Sequence, residues 1–142
     1  MWVDIDDTGH NRNAKYELKN IFPEKDTSEL FSTPKPTKLI QKILKICTKD
    51  DDIILDSFAG SGTTGHAVLK QNNEDGGNRK FILVEMDEDI AEGVTSERIK
   101  RVIEGYPTFK NKLISGLGGS FQYCHLSQKP LFNANGAIQS DV

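Results

Sequence analysis

A glycine-rich segment between two apolar runs carries the strongest chemical signal in the chain. Gly60, Gly62 and Gly65 form a G-x-G-x-x-G pattern after the apolar run 53–55, and Glu85 follows about twenty residues after the last glycine. This pattern is typical of a loop that binds the pyrophosphate of a dinucleotide at the start of a helix. A glycine loop between a strand and a helix nevertheless admits any ligand that approaches the backbone closely. The pattern alone therefore does not identify the ligand.

The residues beside the glycines restrict the class of ligand. A triphosphate-binding loop has Lys and then Ser or Thr after its last glycine, whereas His66 and Ala67 stand there in this chain. Asp56 ends the first apolar run and would lie close to a bound pyrophosphate. Two like charges about 5 Å apart cost about 3 kcal/mol at an effective dielectric constant near 20. We therefore expect a ligand that is positively charged near Asp56, with a fragment of a dinucleotide-dependent oxidoreductase as an alternative.

S-adenosylmethionine has the required distribution of charge, because it carries an ammonium and a sulfonium but only one carboxylate. Asp56 could hold the ammonium, Glu85 could accept both ribose hydroxyls, and residues 59–62 would lie under the methionine part. Met86 could pack on the adenine ring, and Asp87 could contact the adenine amino group or serve as a first-turn helix acid. The structural alternative for Asp56 and Glu85 is an N-cap and a surface acid. Ligand binding is favoured because both residues end a strand, where open α/β sheets bind ligands.

The elements that position these residues are predicted to form a strand, a helix and a second strand. The apolar runs 53–55 and 81–84 have the length and composition of short, fully buried strands, and 63–72 is the helix between them. Short polar links predict that the two strands are parallel, with a right-handed crossover. Residues 74–78 are predicted to form a turn.

Further elements are predicted on both sides of this unit. Apolar residues recur at helical spacing after Pro36, which predicts a helix of about three turns that ends near Cys47. Residues 88–104 form a second helix, acidic at its start and basic near its end, with a break near Gly93 and a cap at Gly105. Partial alternation predicts a third strand over 120–126.

The two ends of the chain are predicted to lie outside the core. Residues 1–30 are polar and irregular apart from a short helix at 14–20, and are interpreted as a connecting segment. Residues 127–142 are interpreted as a loosely held C-terminal tail.

Composition excludes several classes of protein. The chain has 142 residues, enough for one domain, with 27% charged residues and a net charge of −3, so any nucleic-acid surface would be a local patch. Cys47 and Cys124 form no C-x-x-C pair, and we expect reduced, buried thiols in a cytoplasmic protein without membrane contact. The histidines, at 10, 66 and 125, have no partners at ligand spacing, so no metal site is expected.

Three segments in a fixed order resemble the DNA amino-methyltransferases. The stretch 56-DSFAGSGTT-64 resembles their motif I, 82-ILVEMDEDI-90 their motif II, and 31-FSTPKPTKLI-40 their motif X. Motif X directly before motif I is the permuted, β-type order. The flanking stretches 11-NRNAKYELK-19, 73-NEDGGNRKFILVEM-86 and 115-SGLGGSFQYCHLSQKPLFN-133 resemble the modification subunit of type III restriction-modification systems, an adenine-N6 DNA methyltransferase. The resemblance covers residues from about 2 to 135.

The resemblance implies a fold and a set of donor-binding residues. The fold is α/β, a partial Rossmann-like S-adenosylmethionine-dependent methyltransferase fold, with the motif X helix, a βαβ unit and a third strand in residues 31–126. The full fold has a seven-stranded sheet of order 3-2-1-4-5-7-6, so strand 53–56 would have an unpaired edge. Lys35 would be the counter-charge of the methionine carboxylate, unless it is an exposed lysine at a helix start. Gly65 stands where alanine is common, which indicates close packing of its helix on the sheet. The implied donor-binding residues are Phe31, Thr33, Lys35, Pro36, Asp56, Phe58, Ala59, Gly60, Gly62, Thr63, Glu85 and Met86.

The implied function is the donor-binding portion of a DNA adenine-N6 methyltransferase. Its partners would be DNA, a restriction subunit, the N-terminal part of the methyltransferase, and a second copy through the open strand edge. Phosphate contacts could come from Arg12, Lys15 or Lys19. The alternatives are a non-catalytic binding module or remnant, and the oxidoreductase fragment.

No catalytic residue is assigned, and we expect that the 142 residues alone transfer no methyl group. The resemblance implies an Asp-Pro-Pro-Tyr or similar segment against the flipped adenine, placed with a target-recognition region before residue 1, and this sequence has no Pro-Pro pair. The measurement is transfer from tritiated S-adenosylmethionine to DNA of mixed sequence, with an intact adenine methyltransferase as positive control. Clear turnover by the pure chain would contradict the expectation.

Overall fold

The computed structural model describes residues 8–26, 28–126 and 137, which form a mixed α/β structure. No helix in this described part is long and apolar enough to cross a membrane. A π-helical segment, Ala91–Ser96, joins the short helix Glu88–Ile90 to the helix Glu97–Glu104. In chain order the elements are α1 (Asn11–Ile21), α2 (Thr37–Cys47), β1 (Ile53–Asp56), α3 (Thr63–Asp75), β2 (Lys80–Leu83), α4 (Glu88–Ile90), α5 (Glu97–Glu104), β3 (Gly105–Pro107) and β4 (Leu113–Ser115).

The predicted strand, helix and strand are present as β1, α3 and β2. The two strands pair in parallel, with Ile53 opposite Lys80 and Asp56 opposite Leu83. The helix is longer than predicted, because Glu74 and Asp75 belong to its last turn, and the left-handed Gly76 caps it. In the described part of the chain, β1 pairs with β2 alone, so its other edge is open.

The prediction that both strands are fully buried is wrong, because only one face of the two-stranded sheet is covered. Ile54 and Phe81 pack against a cluster formed by α2 and α3, whose buried members are Leu44, Ala67 and Val68. The opposite face is exposed: Ile53 and Leu55 are 63% and 65% accessible. This exposed side, called the apolar sheet face below, consists of Ile53, Leu55, Ile82 and Val84.

The expectation that residues 1–30 lie outside the core is also wrong for the part that the structure describes. Leu18, Ile21 and Phe22 are fully buried and form a cluster with Leu30 and with Val102 of α5. The predicted short helix exists as the longer α1, whose few apolar residues fall on one face among charged neighbours. Because that apolar face is narrow, the many polar residues of the segment make the helical spacing of its apolar residues hard to detect in the sequence. The division of the chain into three segments remains a prediction.

The predicted helix over 88–104 is confirmed, although Gly93 does not break it. The chain passes from α4 through the wider π-helical turn into α5 without leaving helical geometry. Asp87 caps the start by accepting a hydrogen bond from the Ile90 N–H at 3.1 Å, as a first-turn acid would. Gly105 ends α5 with a φ of 96°, a conformation that favours glycine.

The predicted third strand is wrong, because residues 120–126 form no strand. The chain instead turns at Gly105 directly into an antiparallel hairpin, in which Gly105–Pro107 pairs with Leu113–Ser115. The positive φ of Gly105 allows this abrupt change from helix to strand, and the predicted segment has only Phe121 and Tyr123 to support a strand. The predicted C-terminal tail lies outside the described residues, except for residue 137.

The expectation of buried thiols is wrong as well. Cys47 and Cys124 are both exposed and free. Cys47 is the last residue of α2, where the helix has already left the cluster that it forms with α3.

Gly65 lies at the contact between α3, the sheet and α5, as predicted. A Cβ atom on Gly65 would lie 2.7 Å from Ile99 Cδ1 and 3.0 Å from Leu83 Cδ1. Ile99 is itself buried, so it has little room to move. The glycine therefore allows the close approach of α3 to its neighbours.

Replacement of Gly65 by Ala is expected to lower the free energy of unfolding by about 1 kcal/mol, because overpacking costs about 1–3 kcal/mol and helix propensity returns about 1 kcal/mol. Gly93→Ala is the matched control, since a Cβ atom there meets no atom within 4 Å. The control should raise the stability by up to about 1 kcal/mol. Urea unfolding followed by circular dichroism measures both changes, and equal stabilisation by the two variants would contradict the packing argument.

Candidate functional site

A cavity of about 330 Å³ opens at the carboxyl end of β1, between the glycine loop (residues 57–62) and the segment that leads into α2. Eight of the predicted donor-binding residues line it: Phe31, Thr33, Lys35, Asp56, Phe58, Ala59, Gly60 and Thr63. Pro36, Gly62, Glu85 and Met86 do not line this cavity, so the structure does not bring them together with the others there. Ser61, which belongs to the predicted stretch 59–62, also lines the cavity, and three further lining residues were not predicted: Pro34, Ile40 and Thr64.

The glycine loop is a tight turn that begins where the pairing of β1 with β2 ends. The Ala59 N–H donates to the Val84 carbonyl at 3.0 Å, and the Gly62 N–H donates back to the Ala59 carbonyl at 2.8 Å. Gly60 and Gly62 have φ values of 52° and 72°, in the left-handed region. The Phe31 ring lies against Gly60, where a Cβ atom would be 2.9 Å from Phe31 Cζ. Gly60 is therefore required both by the turn and by the ring.

Asp56 presents a carboxylate to the cavity in a fixed orientation. One oxygen accepts from the Phe58 N–H at 3.1 Å, and the other accepts from the Thr64 hydroxyl at 2.5 Å. Within residues 8–26, 28–126 and 137, no cation lies within ion-pair distance of this carboxylate. The carboxylate is therefore held in place by neutral donors, and its charge is not neutralised.

Lys35 lines the same cavity and carries the opposite charge. Its side chain is exposed, and its ammonium makes no hydrogen bond or ion pair with any other residue that the structure describes. Its backbone carbonyl accepts from the Thr63 hydroxyl at 3.3 Å, which joins the segment before α2 to the start of α3. The cavity thus contains one cation and one anion that are not paired with each other.

Glu85 lies two residues after the end of β2, and its carboxylate accepts hydrogen bonds from backbone N–H groups. One carboxylate oxygen accepts from the Gly60 N–H at 2.8 Å. The other accepts from the N–H groups of Met86 and Asp87, at 2.9 and 3.1 Å. Glu85 therefore ties the end of β2 to the glycine loop, a contact that the sequence analysis missed. Met86 is 89% exposed, so its predicted contact with adenine remains a prediction.

A buried arginine lies behind the glycine loop and was not predicted. Arg98 is 1% accessible, and its Nη1 donates to the Ser61 carbonyl at 3.1 Å and to the Thr63 hydroxyl at 3.0 Å. Its Nη2 lies 3.4 Å from a Glu17 carboxylate oxygen. Burial lowers the pKa of Arg98, and the charge of Glu17 opposes that shift. A helical spacing signal did exist, because Arg98 lies in register with the buried residues 95 and 102.

The His66 ring is buried beside this arginine. Burial, and then the Arg98 charge, lower the pKa of His66 well below its ordinary value. A neutral imidazole can accept from Arg98 Nη2, which lies 3.1 Å from His66 Nδ1. His66 thus serves as a hydrogen-bond acceptor inside the fold, on the side of the loop away from the cavity.

Comparison with known proteins agrees with the motif assignment. Residues 3–97 match the DNA methylase family model for N6 and N4 methyltransferases. The chain is 41% identical over 93 residues to the type III restriction-modification enzyme StyLTI Mod subunit of Salmonella typhimurium, covering 66% of this chain and 14% of that protein. It is 49% identical over 77 residues to the EcoPI Mod subunit of Escherichia phage P1, covering 54% of this chain and 11% of that protein.

A type II enzyme is also similar. The chain is 36% identical over 122 residues to the methyltransferase M.KpnI of Klebsiella pneumoniae, covering 77% of this chain and 28% of that protein. The chain thus spans less than a third of the length of each of these relatives. Because the family model matches more than half of the chain, the motif resemblance is confirmed and the chain belongs to the DNA methylase family.

Proposed function

We propose that this chain is the donor-binding portion of a DNA adenine-N6 methyltransferase from a restriction-modification system, with S-adenosylmethionine as the methyl donor. The observation that carries the proposal is the cavity with unpaired Asp56 and Lys35 beside a glycine loop. The methionine end of the donor is a zwitterion, so its ammonium matches Asp56 and its carboxylate matches Lys35. The parallel unit of β1, α3 and β2 is consistent with the first part of a Rossmann-like methyltransferase sheet.

The charge of Asp56 disfavours a dinucleotide. A pyrophosphate in the glycine loop would lie near the Asp56 carboxylate, which has no cation to neutralise it among the described residues. At an effective dielectric constant near 20, the repulsion would be about 3 kcal/mol at a distance of about 5 Å. A ligand with an ammonium near Asp56 would instead be attracted to the carboxylate.

Glu85 is proposed to bind the ribose, but its acceptor capacity is nearly filled. An ionised carboxylate offers about four lone-pair sites, and the N–H groups of Gly60, Met86 and Asp87 occupy three of them. One ribose hydroxyl can therefore donate to Glu85 without any other change. A second hydroxyl would have to displace a backbone N–H, of which Gly60 is the one in the glycine loop.

The remaining functions are proposed by relation to the whole relatives. In the intact protein, the methyl group of the donor would be transferred to N6 of an adenine in DNA, with N6 in line with the bond that breaks. The reaction would take place in the cytoplasm. A restriction subunit would be the partner in a type III system. Phosphate contacts are proposed for Arg12 and Lys15 but no longer for Lys19, because the Lys19 ammonium already donates to the carbonyls of Pro23 and Lys25.

Donor binding is expected to depend on both charges of the cavity. Asp56→Asn and Lys35→Gln should each weaken binding of S-adenosylmethionine at least about tenfold, because a hydrogen bond to a charged group contributes about 1.5–3 kcal/mol. Calorimetric titration of the chain measures this, with NAD as a second ligand that should give no signal. Asp51→Asn and Lys38→Gln are the matched controls, since both side chains are exposed and lie outside the cavity. Equal affinity of Asp56→Asn and Asp51→Asn would contradict the proposed role of Asp56.

The apolar sheet face and the open edge of β1 are proposed to be covered by the rest of the methyltransferase or by a second copy of this chain. Exposed apolar surface beside an unpaired strand edge promotes association. The chain alone is therefore expected to form dimers or larger species in analytical ultracentrifugation at high concentration.

Leu55→Ser should reduce this association, because it removes a large apolar side chain from the centre of the apolar sheet face. Ile46→Ser is the matched control: Ile46 is 61% exposed, against 65% for Leu55, but it lies on α2 and not on the sheet. A monodisperse monomer of the unchanged chain, or equal effects of the two variants, would count against this interface.

A further inference from the structure

We propose that Thr95 and Arg98 are positioning residues of the donor-binding site, which hold the glycine loop from behind and so direct its backbone toward the ligand. Both lie on the helical stretch after β2, and neither lines the cavity. The inference rests on the proposed function, which identifies the glycine loop as part of a donor-binding site. The loop-holding contacts themselves can be tested without any ligand.

Thr95 holds the Gly60 carbonyl of the loop. Its buried hydroxyl lies 2.6 Å from the Gly60 carbonyl oxygen and 3.2 Å from the Ile90 carbonyl oxygen. A hydroxyl has one proton to donate, so the shorter contact, to Gly60, is the hydrogen bond that it makes. The Thr95 methyl group also lies against Gly62, where a Cβ atom would be 3.2 Å from Thr95 Cγ2. Thr95 therefore contacts the turn through both branches of its side chain.

Arg98 holds the next carbonyl. Its Nη1 donates to the Ser61 carbonyl at 3.1 Å, and lies 3.2 Å from the Ser61 hydroxyl oxygen and 3.0 Å from that of Thr63. The guanidinium is almost completely buried, with a single carboxylate, that of Glu17, at 3.4 Å. A buried cation with one counter-charge also depends on neutral acceptors for stabilisation. The loop supplies two of them through Ser61, and Thr63 at the start of α3 supplies a third.

The position of the two residues follows from the shape of their helix. Side chains three or four positions apart share a face of a helix, which places Thr95 and Arg98 on the side of the loop. Thr95 lies in the π-helical segment Ala91–Ser96, where each turn contains an additional residue. Such π-helical turns are uncommon and are often found at functional sites.

The hydrogen bond to Gly60 fixes the direction of a donor on the opposite side of the peptide plane. Because the Gly60–Ser61 peptide is trans, its carbonyl and its N–H point in opposite directions. With the carbonyl directed at Thr95, the Ser61 N–H is directed away from Thr95, and both Gly60 and Ser61 line the cavity. This N–H has no acceptor among the residues that the structure describes. It is thus a preoriented donor for an oxygen of the ligand, such as the carboxylate of the methionine part.

Two substitutions at Thr95 separate positioning from simple stability. Thr95→Val keeps the shape and removes the hydroxyl, whereas Thr95→Ser keeps the hydroxyl and removes a buried methyl group. Thr108→Val is the matched control, because Thr108 is a buried threonine of the β3–β4 hairpin, whose hydroxyl oxygen accepts from the Lys112 N–H at 3.1 Å. The readouts are thermal stability, amide hydrogen exchange of Gly62, and the affinity for S-adenosylmethionine.

Thr95→Val is expected to accelerate exchange of the Gly62 amide and to weaken donor binding, each about fivefold, the factor that corresponds to one neutral hydrogen bond. Thr95→Ser should bind the donor like the unchanged chain, whatever its stability. If Arg98→Lys folds, it should also accelerate Gly62 exchange and weaken donor binding. If it does not fold, the comparison of Thr95→Val with Thr95→Ser tests the inference.

Unchanged Gly62 exchange and unchanged affinity in Thr95→Val would overturn the inference, and so would equal effects of Thr95→Val and Thr108→Val. Absence of donor binding by the unchanged chain would count against the proposed function. In that case the exchange rates still decide whether Thr95 holds the loop.

Discussion

The burial of one positive charge organises the described part of this protein. Arg98 lies where α1, α2, α3, α5 and the glycine loop meet, and an unpaired guanidinium there would be strongly destabilising. Each of the other four elements supplies an acceptor: the Glu17 carboxylate, the Thr37 hydroxyl, the His66 ring nitrogen, and the Ser61 carbonyl. Only the Nε of the guanidinium has no partner among the described residues. The arrangement of the loop is therefore inseparable from the packing of the helices.

The glycine loop separates the buried charge of Arg98 from the charges of the cavity. Behind the loop, the cation is enclosed by the Glu17 carboxylate and a set of neutral acceptors. In front of the loop, the Asp56 carboxylate is oriented by neutral donors, and the Lys35 side chain is exposed. Glu85 joins the two strand ends through backbone N–H groups. A turn with two left-handed glycines can thus be both rigid and open to a ligand.

Local patterns in the sequence were sufficient for the centre of the fold but not for its surroundings. The βαβ unit and the glycine loop could be predicted, because each depends on residues that are close in the sequence. The packing role of Gly65 was predicted from the motif resemblance, since its contacts with Leu83 and Ile99 join distant residues. The exposure of Leu55 could not, since an apolar run of strand length looks the same whether one face or both faces are covered. The core role of Leu18 was hidden by its charged neighbours. Arg98 was not predicted as a buried residue, although its helical register with Thr95 and Val102 places it on the buried face of its helix.

The contact between Arg98 and Glu17 spans 81 positions of the chain, and the loop that it helps to hold lies between the two. Contacts between residues so far apart form late in folding, because the chain must first lose the entropy of a large loop. The hydrogen bond from the Gly62 N–H to the Ala59 carbonyl joins neighbouring residues, but the support from Arg98 is complete only when both distant segments have docked. The ligand-binding backbone should therefore be among the last parts of the molecule to become ordered, and among the first to loosen when α1 detaches.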